Sequence, residues 1–251
     1  MLDWIRRIRK VSQTLSLPSR DTSAGRSQGQ LNASKLIPAT GIFISQLIQT
    51  HKVVADLLAD DAAPAPRPDW SKRETELAKF YRERAGELSE LLVKLGSSFM
   101  EPQQQIRDRL DELVERTEGN NWFEDLMRIY IVFGVLEDSY LRVAKGLTPA
   151  RRLKVEGMLS DNSLMDFCKQ TLAEAIAESP ELADELALFG RAIVADALLE
   201  VRDSLDFSEL IPNPPEDKAD LTREQFRILE PLTTDLIAAH TMRMDALGLT
   251  A

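Results

Sequence analysis

The sequence predicts an all-α bundle, and three observations carry that prediction. No window alternates β-branched residues with a period of two, so strands are not expected. Apolar residues instead recur at helical spacing in successive stretches, separated by clusters of Pro and Gly. One stretch, 122–145, is apolar nearly all round, as a central buried helix should be.

The elements follow in order. Met1 to Lys10 sets Leu2, Trp4, Ile5 and Ile8 against Arg6, Arg7, Arg9 and Lys10, which suits a short basic amphipathic helix or a frayed tail. Residues 11–34, rich in Ser, Gly, Gln and Arg, are expected to be disordered. A first helix fits 38–60, with Pro38 in its first turn and Ile44, Leu47, Val54 and Leu58 as its stripe. The Ala-Pro-Ala-Pro-Arg-Pro run at 63–68 forbids helix and reads as a stiff connector. Ser71 and Glu74 match a capping box that opens a second helix, 71–95, stopped by Gly96. Its core face is Leu77, Tyr81, Leu88, Leu91, Leu92 and Leu95.

A shorter amphipathic helix covers about 101–117, on Ile106, Leu110, Leu113 and Val114. Asn121 is placed to cap the central helix, which Gly146 ends. Thr148-Pro149 begins a helix running toward Glu178, and Ser179-Pro180 begins another to about Asp206. The stretch 208–220 contains Pro212, Pro214 and Pro215 and reads as a loop. A last helix, about 221–247, is expected to bend near Pro231 and to stop at Gly248. The expected division is an N-terminal arm, 1–35, and a helical domain, 36–251.

Composition narrows the function classes. A chain of 251 residues with 43% hydrophobic content builds a sizeable core. The single cysteine, Cys168, excludes an intrachain disulfide and fits a reducing, cytoplasmic setting. Its amphipathic helical context favours a buried inert thiol. Net charge is −10, unevenly spread. Residues 1–35 hold seven basic side chains against Asp3 and Asp21, a tail of +5 on a body of −15. Nucleic acid is therefore not an expected partner, because the body lacks a basic face. An anionic membrane surface contacted through residues 1–10, a protein partner and a homo-oligomer are the partner classes that remain. No apolar run is long enough to span a bilayer, and no secretory signal is recognisable. Phosphate loops, Gly-x-Ser-x-Gly elbows and Cys-x-x-Cys pairs are absent.

Helical bundles often house two metal ions, on roughly six ligands that include Glu-x-x-His pairs from facing helices. Here the only histidines are His51 and His240, and the residues three before them are Ile48 and Ile237. Helical spacing does set four ionisable groups on apolar stripes. His51 falls between Leu47 and Val54, and Arg84 follows Leu77 and Tyr81. Glu137 continues Tyr130 and Phe133, and Asp196 follows Leu186, Phe189 and Ile193 with Glu200 a turn beyond. Such groups are either boundary residues that reach water or members of one internal polar cluster, because an isolated buried charge is very costly. The expectation is a cluster of His51, Arg84, Glu137 and Asp196, with Glu137, Asp196 and Glu200 as weak metal candidates.

Several stretches resemble a known family. Trp122-Phe123-Glu124-Asp125-Leu126 with the helix after it, Leu147-Thr148-Pro149, Leu186 to Arg191 leading to Asp196, and His240 to Leu249 resemble the actinobacterial ferritin-like proteins related to the tRNA hydroxylase MiaE. The likeness is collinear over about 36–251. It implies a ferritin-like four-helix bundle with an additional C-terminal helix and a short extra helix, and a non-haem di-iron site in members that keep the ligands. Asp196 matches a late carboxylate position. Elsewhere the ligand pattern is broken: His51 stands for a first-helix glutamate, Tyr81 and Arg84 for a Glu-x-x-His, and Leu164 for a histidine. Two functions follow as expectations. One is a non-catalytic binding or scaffolding module without a cofactor. The other is an iron-dependent hydroxylase-type oxidoreductase with an atypical carboxylate shell that draws on Asp138, Asp161, Asp166 and Glu200.

Overall fold

The computed structural model describes residues 33–94 and 100–251, and the expectations for residues 1–32 and for the Gly96 stop lie outside them. Every regular element among the described residues is helical. A short 3₁₀ turn, Ala33–Lys35, leads to Leu36, which is fully buried and whose carbonyl accepts from Asp206 N at 2.9 Å. Helix α1 spans Thr40–Asp61, α2 Pro68–Lys94 and α3 Met100–Arg116. Helix α4 runs from Trp122–Arg128 through a π-helical turn, Ile129–Phe133, into Gly134–Val143. Helices α5 (Pro149–Leu159), α6 (Ser163–Glu178), α7 (Glu181–Asp203) and α8 (Lys218–Asp245) complete the chain.

Helix α4 is the axis of the packing. It touches α1, α6, α7 and α8, and the whole run from Leu126 to Leu136 is buried. Its start is fixed as the sequence indicates: the Asn121 side chain accepts from Phe123 N and Glu124 N. Helices α1 and α2 form the closest pair, and α3 lies against α1 on one side and α7 on the other. Helices α7 and α8 are antiparallel, since Gly190 packs against Met244 while Arg202 stacks over Phe226 at 5.5 Å.

Three boundaries differ from the sequence expectation. Helix α2 starts at Pro68, and Ser71 N already donates to Arg67 O at 3.1 Å, so Ser71 and Glu74 do not form a capping box. Proline has no N–H to lose in a first turn, and that start wins over the side-chain cap. The helix expected over 149–178 is two helices, broken at 160–162, where Asp161 Oδ1 accepts from Ser163 N at 2.9 Å. Helix α8 begins at Lys218, capped by Asp217, and passes through Pro231. Gly248, at φ 71°, ends it, with Leu249 N returning to Met244 O at 2.9 Å.

Candidate functional site

The site to test is the place where α1, α2, α4 and the α5–α6 junction converge. A cavity of about 20 Å³ lies there, close to the volume of one water molecule. Thr50, His51 and Val54 of α1, Tyr81 of α2, Phe133, Glu137 and Tyr140 of α4, and Leu159, Leu164 and Met165 line it. The π-helical turn inserts its extra residue just before Glu137 and sets the register in which Phe133, Glu137 and Tyr140 share this wall.

His51 is buried, and its Nδ1 lies 2.7 Å from Leu47 O, which assigns the proton to Nδ1 and leaves Nε2 as an acceptor. Its ring lies 5.2 Å from that of Tyr81, tilted by 33°. Burial pushes the His51 pKa down to about 4; the hydrogen bond to Leu47 opposes this and the Arg84 charge reinforces it. The imidazole is therefore neutral at pH 7. Glu137 is half-buried and pushed up to about 7, first by burial and then by Asp138, against the pull of Arg243 and Arg84. Thr50 and Tyr140 share a hydrogen bond of 3.0 Å deeper in the core, and burial raises both Tyr81 and Tyr140 above the usual phenol range.

Of the four residues expected to cluster, three converge. His51 and Glu137 line the cavity. Arg84 stands at its rim: its Nη1 donates to Met158 O, its Nη2 lies 3.9 Å from Asp161 Oδ2, and its guanidinium covers Phe80 at 4.3 Å. Asp196 is not part of the cluster. It sits on the face of α7 that meets α3, where it accepts from Arg116 Nε at 3.0 Å. Glu200, one turn on, is buried and held by Arg109 Nε at 2.9 Å through both oxygens. The other carboxylates considered as oxygen ligands are also engaged: Asp138 by Arg243 at 2.9 Å, Asp161 by Ser163 N and Arg84, and Asp166 by Lys169 at 3.4 Å.

A di-iron centre in this architecture takes roughly six ligands, largely carboxylates and imidazoles. The cavity wall offers one imidazole nitrogen, His51 Nε2, and one carboxylate, Glu137; the Thr50 hydroxyl is engaged by Tyr140, and the rest is apolar or aromatic. Among the described residues no group of three or more His, Cys, Asp or Glu side chains is arranged to hold a metal ion. These residues do not fit a dimetal centre.

Sequence reading missed a second polar layer nearer the α1–α2 connector. Glu74 is fully buried, and neither of its oxygens has a hydrogen-bond partner. Asp61 ends α1 beside it, with Oδ2 also without a partner. Arg128, 4% exposed, pairs with Asp125 at 2.9 Å. Trp122 Nε1 donates to Asp61 O at 3.0 Å, and its ring stacks on Trp70 at 5.4 Å. Burial pushes Glu74 up to about 8, with the Asp61 charge adding to the rise and Trp122 opposing it. Asp61 rises to about 7, by burial first and then by Asp125 against Arg128. Cys168 is buried as expected, and burial, Glu74 and Asp61 all raise its thiol. The available signal was that Trp70 and Glu74 extend the Leu77–Tyr81 stripe backward at helical spacing.

Comparison with known proteins places this geometry in a family. A search of curated proteins returned no match. The sequence model described as "Ferritin-like domain, actinomycetes" matches residues 48–207, more than half of the chain, from within α1 to just beyond α7. That span contains the cavity and both polar layers, and the chain belongs to the actinomycete ferritin-like domain family.

Proposed function

We propose that this protein is a ferritin-like bundle whose internal metal site has decayed, and that it acts as a non-catalytic binding or scaffolding module. The observation that carries the reading is the filling of the four-helix meeting point. His51 spends Nδ1 on Leu47 O, Tyr81 and Leu164 occupy wall positions, and about 20 Å³ of space remains beside a single carboxylate. Two metal ions with their bridging oxygens need far more room and more ligands. Kinship with the tRNA hydroxylase relatives would make an oxygenase the ancestral activity, of which Glu137 is a remnant. The acidic body argues for a protein rather than a nucleic-acid partner, since phosphate backbones call for clustered Lys and Arg.

Metal content of the protein purified from its native host tests the reading. Iron and manganese well below one atom per chain are expected, together with no dioxygen consumption in the presence of a reductant. About two irons per chain would overturn the reading in favour of a hydroxylase-type oxidoreductase with an atypical ligand shell.

A further inference from the structure

The α7–α8 face is more apolar than a free surface needs to be. Three large hydrophobic side chains that are exposed among the described residues lie on or beside this face: Leu188 (67%) and Leu199 (36%) of α7 and Ile237 (48%) of α8. Leu188 and Leu199 lie eleven residues apart on α7, almost in line along one stripe, with Arg191 and Ala195 between them. An open groove of about 790 Å³ runs between the helices, walled by Val194, Leu198, Ile237 and Leu249. Arg191 and Asp245 line the same groove. Neither side chain has an ion-pair or hydrogen-bond partner among the described residues.

We infer that this face is the interface of a two-fold symmetric homodimer. A two-fold axis makes each contact occur twice, so a surface that pairs with itself must carry its own complement. An unpaired cation and an unpaired anion beside an apolar groove meet that condition: Arg191 of one protomer faces the partner's Asp245, and the reverse contact follows by symmetry. Size also fits. Helices of 23 and 28 residues, packed side by side, present a face of roughly 35 by 20 Å, on the order of the ~800 Å² per partner of a standard interface. The inference rests on the reading of the chain as an assembling, non-catalytic bundle, and names its partner as a second copy.

Sedimentation velocity of the full chain over a wide concentration range tests it. The wild type is expected at twice the chain mass. Arg191→Glu and Asp245→Arg should each weaken the dimer by about tenfold or more, and the double reversal should return affinity to within about threefold of wild type. Both residues lie at the surface, and matching thermal melts will show that the variants fold. A monomeric wild type overturns the interface, as do single reversals without effect or a double reversal weaker than either single. Iron content is independent of these variants: a monomer rejects this interface alone, whereas two irons per chain rejects the non-catalytic reading alone.

Discussion

Two layers of polar groups lie inside this bundle, about 15 Å apart along α1 by the helical rise between His51 and Asp61, and they meet burial in opposite ways. In the cavity layer the deepest groups have partners: Thr50 with Tyr140, and His51 with Leu47 O. Polarity there is neutral, and the half-buried Glu137 stands toward the edge. In the connector layer Glu74 and Asp61 carry carboxyl oxygens with no partner, beside an arginine already engaged by Asp125. The difference teaches that burial alone does not decide whether a polar group is tolerated. A ring with a carbonyl one turn behind it enters the core neutral and bonded, whereas a carboxyl without a donor enters only with its proton.

The largest expected effect is an alkaline loss of stability from the connector layer. Glu74 and Asp61 hold their protons up to about 8 and about 7 in the folded chain, against 4.5 and 3.8 when unfolded. Between those values the folded state binds more protons, so stability is present at low pH and falls as pH rises from about 4 to about 8. At about 1.4 kcal/mol per pKa unit the two shifts correspond to a loss on the order of 9 kcal/mol, and Glu137 in the cavity layer adds to it. Urea unfolding between pH 5 and pH 9 measures it, and Glu74→Gln should remove roughly half of the slope. An unchanged slope in that variant would show that Glu74 has a partner the geometry does not reveal.

A smaller effect of opposite sign belongs to the cavity layer. His51 is neutral in the folded chain down to about pH 4, against 6.5 when unfolded, so here the unfolded state binds more protons. Stability is present above pH 6.5 and is lost as pH falls toward 4, by on the order of 3 kcal/mol. This contribution opposes the carboxyl effect over the same range, so His51→Gln should make stability fall more steeply with rising pH between about 4 and 6.5 and leave the fall above 6.5 unchanged. If the slope between about pH 4 and 6.5 is the same in the variant as in the wild type, the comparison between the layers fails at its cavity end.

Much of the cavity layer was legible in the sequence, because helix periodicity puts His51, Tyr81 and Glu137 on inward stripes and the family resemblance sets Leu164 at a ligand position. Asp196 was misread for a geometric reason. Its stripe on α7 is buried against α4 and α3 together, and at the edge that meets α3 the Arg116 and Arg109 side chains of α3 claim Asp196 and Glu200. Pairing across helices is a tertiary fact that spacing within one helix does not carry. Glu74 was hidden by a local match, since Ser71-x-x-Glu74 has the form of a cap while Pro68 moves the start of α2 three residues earlier. The break at 160–162 and the π-helical turn in α4 likewise left no periodic signature that a single chain would show.

The smallest effect is also the most telling. A ligand that binds only the folded chain stabilises it, by about 2.7 kcal/mol at one hundred times its dissociation constant. Thermal unfolding should therefore be compared in a chelator and in excess ferrous iron under anaerobic conditions. With the four-helix meeting point filled by His51, Tyr81 and Leu164, the two midpoints are expected to coincide. A rise of several degrees with iron, abolished by Glu137→Ala, would mean that this bundle still holds a metal centre.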